Sequence, residues 1–331
     1  MEVHQLRVKK RKTDFKRWST LLDDAGIRTE KNIETVLGVF EKERCIATGA
    51  VFGNVIKCVA VCREYMGGAV VSLLMTNLEK IVFERYNSCY LYTKPNTGES
   101  FAKLGYQEIV KLDDQLIFME KAVNGFSEYL HYISDQAQNN SRQAGLVINA
   151  NPFTLGHQYL VERASRENNS VYVFVVSEDR SYVPFEDRLH LVKEGVKHLD
   201  NVVVLETGPY MVSQTTFPSY FLQEDQDATI VQAQLDATLF KTRIAPVMGI
   251  THRYVGQEPF SETTEIYNQQ MKKVFGNDLT LIVLERKKIS GQAISASLVR
   301  DLWRERDLKS IKKLVPEATY SYIEEHIEGV K

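Results

Sequence analysis

The chain has 331 residues, 44% hydrophobic and 25% charged, which suits an ordinary globular protein of about two domains, each with its own core. Lys and Arg number 41 against 43 Asp and Glu, a net charge of −2. No overall positive field therefore argues for nucleic acid, and basic and aromatic residues do not interleave. Small molecules or another protein are the partners this leaves. No apolar stretch approaches the roughly 18 residues of a membrane span, and the opening MEVHQLRVKKRK has no apolar region after its basic residues. The expected location is the cytoplasm, with no membrane partner. Cys45, Cys58, Cys62 and Cys89 form no CxxC pair and have no neighbouring His cluster, so they read as buried thiols in a reducing compartment.

In chain order, the basic run Arg7 to Lys12 reads as a solvated N-terminal segment. Two motifs mark the first third. Glu64-Tyr65-Met66-Gly67-Gly68-Ala69 is a turn with small residues, and Phe101-Ala102-Lys103-Leu104-Gly105-Tyr106 follows further on. With these, residues 46–109 resemble the GNAT acyltransferase fold: two strands, a pyrophosphate-binding turn, a helix, a strand and the F-x-x-L-G-[FY] ending. The ending matches. The turn keeps the small residues but opens with Glu64, which would repel a pyrophosphate if it pointed inward. Backbone N–H groups at Gly67, Gly68 and Ala69 are suited to cradling one. This domain, 1–122, either binds a coenzyme A-like group in an altered way or keeps the fold for docking.

Residues 123–143 begin as a short helix and end in polar, turn-forming sequence without apolar period, the expected connector. From 144 the pattern alternates. GLVINA is a strand, followed by a helix through Leu160, Val161 and Ala164, then SVYVFVVS as a strand. PFEDRLHLVKEGVKHL places Phe185, Leu189, Val192, Val196 and Leu199 at helical spacing. NVVVLE follows as a third strand, and a long helical region leads to APVMGI and RYVGQE. SETTEIYNQQMKKVFG is another helix, DLTLIVLER supplies a further strand, and ISASLVRDLWRERDLKSIKKLV closes with helix. Alternation predicts a parallel sheet covered on both faces, with ligands at the carboxyl ends of its strands.

NANPFTLGH, 149–157, sits at the end of the first of these strands. A strand that ends in such a turn and opens a helix directs backbone N–H groups at an anion. Gly156 allows close backbone approach, and His157 can present a ring N–H. In Ile294-Ser295-Ala296-Ser297-Leu298-Val299-Arg300 a Ser caps a helix start and Arg300 projects from the same turn. Hydroxyls, a helix end and a guanidinium together suit a triphosphate.

On these residues the second half resembles the nucleotidyltransferase superfamily. Thr154-Leu155-Gly156-His157 is similar to its (H/T)xGH motif, Ser295 to Arg300 to its ISSTxxR-like motif, and Asn151-Pro152 to its Asp-Pro or Asn-Pro. The resemblance implies a Rossmann-like domain in which Asn151, Thr154, Gly156, His157, Ser295, Ser297 and Arg300 hold ATP. His157 and Arg300 would stabilise charge at the α-phosphorus as pyrophosphate leaves. RYVGQEPFSETT resembles the loop that holds adenosine, which assigns Gly256 and Glu258 there. No carboxylate cluster stands out, so Mg²⁺ is expected to ride on the phosphates.

A GNAT-like domain before a nucleotidyltransferase domain resembles, over nearly the whole chain, the citrate lyase ligase family. That family activates acetate with ATP to acetyl-adenylate. It then acetylates the thiol of the dephospho-coenzyme A-like prosthetic group on the acyl carrier protein of citrate lyase. Two other readings stay open: adenylation of a phosphate ester such as a pantetheine phosphate or mononucleotide, and a GNAT acetyltransferase whose second domain senses nucleotide.

Overall fold

Runs such as TVLGVFE, RCIATGAVF and VIKCVAV are rich in β-branched and aromatic residues, which fit a pleated, half-buried surface. In the computed structural model, which describes residues 1–66, 68–177, 181–210, 220, 227–257, 262–289 and 291–327, they build a seven-stranded sheet. Its elements are β1 (Glu2–Leu6), α1 (Lys12–Asp24), β2 (Thr35–Glu41), β3 (Arg44–Phe52), β4 (Val55–Val61), α2 (Ala69–Phe83), β5 (Ser88–Thr93), α3 (Pro95–Ala102), β6 (Gln107–Leu112) and β7 (Leu116–Ala122). The order is β1-β2-β3-β4-β5-β7-β6. Successive strand residues feed opposite faces: Leu37 packs in one cluster with Val70, Leu74, Leu78 and Val82 of α2, and Val36 in another with Trp18 and Leu22 of α1.

This is the GNAT-like α+β fold, and one irregularity interrupts its sheet. β4 and β5 are parallel and pair at Val55–Tyr90 and Ile56–Leu91. Immediately afterwards Cys58 takes φ 53, where the register against β3 shifts. A non-glycine residue in that region costs roughly 1–3 kcal/mol and marks a deliberate kink. The sheet thus opens between the carboxyl halves of β4 and β5, the end from which the chain enters α2. The F-x-x-L-G-Y segment closes the core, with Phe101 and Tyr106 packed edge to face at 6.1 Å and Gly105 at φ 90 making the turn.

After α4 (Phe126–Asp135) come β8 (Gln143–Ile148), α5 (Leu155–Glu167), β9 (Ser170–Val175), α6 (Phe185–Val196), β10 (Val202–Glu206), α7 (Ala228–Leu239), a π-helical turn over Phe240–Ile244, and α8 (Ala245–Met248). Then follow β11 (His252–Gly256), α9 (Glu262–Phe275), β12 (Thr280–Leu284), the short hairpin strands β13 (Lys288–Ile289) and β14 (Gln292–Ala293), α10 (Ala296–Arg304), α11 (Leu308–Ile311) and α12 (Glu317–Glu325). The sheet order is β10-β9-β8-β11-β12, and all its pairings are parallel. Every residue of β9 is buried, as a strand covered on both faces requires. The strand order reverses between β8 and β11, so the crevice at their carboxyl ends is the topological switch point of a Rossmann-like sheet.

The division between the two units is not the linear one read from composition. One unit holds Met1–Glu128 with Val212–Leu235, the other Tyr129–Met211 with Asp236–Lys331. Tyr220, 2% exposed, packs in the cluster of Trp18 and Leu22. Its burial in the first unit's core is a long-range fact that local composition cannot carry. The basic N-terminal run is also tied down: the Lys9 ammonium donates to the Ile33 carbonyl at 2.7 Å and the Arg7 N–H to Asp14 at 2.9 Å. The four cysteines are free thiols, and no described helix is long and apolar enough to cross a membrane.

Candidate active site

β8 ends at Ile148, and the chain turns through Ala150 at φ 51, a left-handed residue that is 1% exposed. Phe153 anchors the turn. Its ring is fully buried, and a Cβ at Gly195 of α6 would lie 2.3 Å from it, so the glycine makes room for the phenyl group. Thr154 then caps α5. The His157 N–H donates to Thr154 Oγ1 at 3.4 Å, and the Thr154 N–H donates to His157 Nδ1 at 3.1 Å, a reciprocal capping box.

That box decides the tautomer. A ring nitrogen that accepts a backbone N–H carries no proton, so the proton of neutral His157 sits on Nε2. Burial pushes the His157 pKa down to about 4, and the Arg286 cation adds to the effect. His157 is therefore a neutral N–H donor at physiological pH, stacked on Phe153 at 5.7 Å. The helix end offers fewer backbone donors than its sequence suggested, because the Leu155 N–H is bonded to the Leu314 carbonyl at 2.9 Å and His157 N–H to the cap. Among the described residues, the Gly156 N–H is the first-turn amide left over.

The second motif lies against the first. A Cβ on Gly156 would sit in ordinary van der Waals contact, 3.4 Å from the Ile294 carbonyl oxygen, so α5 begins directly against the segment entering α10. Ser295 caps α10, its Oγ accepting from the Leu298 N–H at 3.1 Å. Arg300 forks: Nη1 donates to the Asn151 carbonyl at 2.7 Å and Nη2 to Ser297 Oγ at 3.0 Å. Partial burial, with Arg304 next in effect, lowers its pKa. A guanidinium remains charged under such a shift. Asn151, Thr154, Gly156, His157, Ser295, Ser297 and Arg300 are thus assembled at one place. Gly256 closes β11 at the same carboxyl edge, and a Cβ there would meet nothing within 4 Å. Gly68 and Ala69 belong to the first unit. Glu258 and Gly67 lie outside the described residues.

Two arginines escaped the sequence reading. The Arg286 Nε donates to the Gln257 carbonyl at 2.9 Å and Nη1 to the Ile294 carbonyl at 3.1 Å, tying the end of β11 to the entry of α10. Arg188 is fully buried in α6. The position of Arg286, directly after a strand of a parallel sheet, was a usable signal. Arg188 had none, because a periodicity reading counts arginine as exposed. For the same reason the buried face of α6 is Arg188, Leu191, Val192, Gly195 and Val196, whereas Phe185, Leu189 and Leu199 pack at its margin.

In the first unit Glu64 is turned to Arg44, at 2.9 Å. Its carboxylate is committed to that partner at an exposed site. Gly68, at φ 113, is the residue before α2, whose first turn holds no acidic residue.

A parallel sheet whose strand order reverses beneath two capped helix starts, a neutral histidine and a forked arginine defines an α/β enzyme of the nucleotidyltransferase fold, here joined to a GNAT-like unit. Residues 143–323 match the family described as citrate lyase ligase C-terminal domain. The chain is 34% identical over 300 residues to a citrate (pro-3S)-lyase ligase of Klebsiella pneumoniae, covering 89% of this chain and 88% of that one. It is 32% identical over 314 residues to the Escherichia coli ligase of the same name, covering 93% and 89%. A shorter likeness, 31% over 99 residues, covers 28% of this chain and 60% of a phosphopantetheine adenylyltransferase from Streptococcus gordonii. The chain belongs to the citrate lyase ligase family and is an enzyme of the ligase class.

Proposed function

We propose that the chain activates acetate with ATP and acetylates the thiol of the dephospho-coenzyme A-like prosthetic group on the acyl carrier protein of citrate lyase. The observation that carries this reading is the joining of the two motifs at the switch point, Arg300 to Asn151 at 2.7 Å. An acetate oxygen attacks the α-phosphorus of ATP as the bond to pyrophosphate breaks, giving acetyl-adenylate. The thiolate then attacks the acetyl carbonyl carbon, a thioester forms, and AMP leaves.

Phosphoryl-type transfer of this kind is mostly positioning and charge stabilisation. His157 Nε2–H and the Gly156 N–H are suited to an α-phosphate oxygen. A guanidinium has five N–H donors, so the bonds from Arg300 to Asn151 and Ser297 aim the group and leave donors for the departing phosphates. Ser295 and Ser297 belong to the same turn, Asn151 orients Arg300, and Gly256 with Glu258 takes the adenosine side. Mg²⁺ would be held mainly through the phosphates of ATP. The opening between β4 and β5, at the end from which the chain enters α2 through Gly68 and Ala69, supports the first unit as the receiver of the coenzyme A-like arm.

The likeness to phosphopantetheine adenylyltransferase supports a second reading, adenylation of a phosphate ester. Pyrophosphate release is measured with ATP plus acetate, with ATP plus phosphopantetheine, and with ATP alone. Acetate-dependent release and AMP formation are expected. Release that needs the phosphate ester instead overturns acetate as the substrate.

A further inference from the structure

Arg188 is fully buried, and a buried cation is tolerated only where its donors are satisfied. Its Nε donates to the Val183 carbonyl at 3.0 Å, and its Nη1 approaches the Val176 carbonyl at 2.7 Å and both the Asn149 carbonyl and Oδ1 at 2.9 Å. These acceptors belong to the turn after β8, the segment after β9 and the entry to α6, which together form one wall of the crevice at the switch point. A single planar fork fastens three stretches of backbone that lie beyond the ends of β8 and β9 and before α6.

The bonding continues from there to the site. The Val183 N–H donates to Asn151 Oδ1 at 2.9 Å. The carbonyl of the same Asn151 accepts from Arg300 Nη1 at 2.7 Å, and Arg300 Nη2 donates to Ser297 Oγ at 3.0 Å. Arg188 therefore holds Val183, Val183 holds the Asn151 side chain, and Asn151 holds Arg300. We propose that Arg188 is a positioning residue for the phosphate site, setting the direction of the Arg300 guanidinium through Val183 and Asn151. This rests on the reading of Arg300 as a ligand of ATP. Arg188 itself touches no substrate. It explains why a charged fork occupies a helix position that would otherwise take an aliphatic side chain: a lysine ammonium cannot reproduce the planar geometry.

The test is a double-mutant cycle on ATP affinity, measured by calorimetry with Arg188→Lys, Arg300→Lys and the double variant, alongside KM and kcat for pyrophosphate release. Arg188→Lys is expected to weaken ATP about tenfold, the scale of one charge-assisted bond. The double variant should bind no more weakly than Arg300→Lys alone, since coupled residues are not additive. Losses that multiply, or wild-type affinity in Arg188→Lys, overturn the proposal. Should Arg188→Lys fail to fold, Asn149→Ala replaces it in the cycle: Asn149 is exposed, and the variant removes one acceptor of the fork. It is expected to weaken ATP by roughly threefold in wild type and not at all in Arg300→Lys; an equal loss in both overturns the relay. Because the cycle reads ATP affinity alone, absence of acetate dependence in the wild type overturns the substrate assignment without touching this result.

Discussion

Arg300 and Asn151 stand 149 positions apart in the chain, and one guanidinium N–H joins them at 2.7 Å. The bond fastens α10 to the turn that ends β8, so the last motif of the domain completes the first. The partner is a backbone carbonyl, so the contact depends on the path of the turn, which the Asn151 side chain helps to fix by accepting the Val183 N–H.

Arg300→Lys is the direct test of that fork. An ammonium can keep one of the two bonds to Asn151 and Ser297. The protein should stay folded, since Arg300 is only partly buried, while kcat/KM for ATP should fall at least tenfold, which corresponds to about 1.4 kcal/mol. Steady-state pyrophosphate release checks it, and wild-type kinetics would reduce Arg300 to a helix-surface charge.

His157 separates chemistry from folding. Alanine removes the side-chain half of the capping box, the bond from the Thr154 N–H to Nδ1, and keeps the backbone N–H to Thr154 Oγ1. It should cost up to about 1 kcal/mol of stability, together with a hundred- to thousandfold loss in turnover, on the order expected for one transition-state donor. Glutamine at this capping-box position still accepts the Thr154 N–H, so His157→Gln should keep the wild-type Tm at pH 7.5. The pH dependence has a definite sign. With a folded pKa near 4 against an ordinary value of 6.5, the unfolded chain binds a proton between those values that the folded chain does not. Stability is therefore unaffected by His157 above pH 6.5 and is lost as pH falls toward 4. Denaturant midpoints should show a shallower acid decline in His157→Gln than in wild type. Equal declines would mean that His157 is not held neutral.

Gly195→Ala weighs two opposed effects. Alanine favours a helix over glycine by up to about 1 kcal/mol. The new methyl, however, would meet Phe153 Cε1 at 2.3 Å and Cδ1 at 2.7 Å, and overpacking a filled core costs about 1–3 kcal/mol. Phe153 has no exposed side from which to retreat, so the clash should win, giving a net loss of roughly 1–2 kcal/mol. A lower urea midpoint is the expected result. Because Phe153 lies between Asn151 and Thr154, KM for ATP should rise as well.

These sites differ in how readable they were. NANPFTLGH and ISASLVR were legible because glycine, capping hydroxyls and strand-to-helix changes are local signals, and the alternation that places them at strand ends is periodic. The apposition of Gly156 to Ile294 and the fork of Arg300 depend on contacts far apart in sequence, and the position of Tyr220 in the first unit's core does so too. The buried guanidinium of Arg188 contradicts its own hydropathy, because three backbone carbonyls stand in for the water it lost. In the first third, Glu64 looked adverse to a pyrophosphate until its partner Arg44 was seen on a neighbouring strand.

That pairing engages the Glu64 carboxylate, and the first turn of α2 holds no acidic residue, which suggests how to test the first unit. Gly68 is a poor place for substitution: at φ 113 any side chain strains the backbone, and a lost activity there would be ambiguous. Ala69, the first residue of α2, is exposed. Aspartate at that position complements the helix dipole and should hold or raise stability by about 0.3–1 kcal/mol. The same carboxylate would oppose the pyrophosphate of a coenzyme A-like arm. Ala69→Asp should therefore leave Tm and acetate-dependent pyrophosphate release as in wild type, while acetyl transfer to the thiol of the acyl carrier protein falls at least tenfold, or about 1.4 kcal/mol in transition-state binding. Both signals are followed in one preparation, the first by released pyrophosphate and the second by the thioester formed on the carrier. If transfer is undiminished while the helix is intact, the start of α2 does not receive the arm, and the GNAT-like unit serves to dock the carrier protein instead.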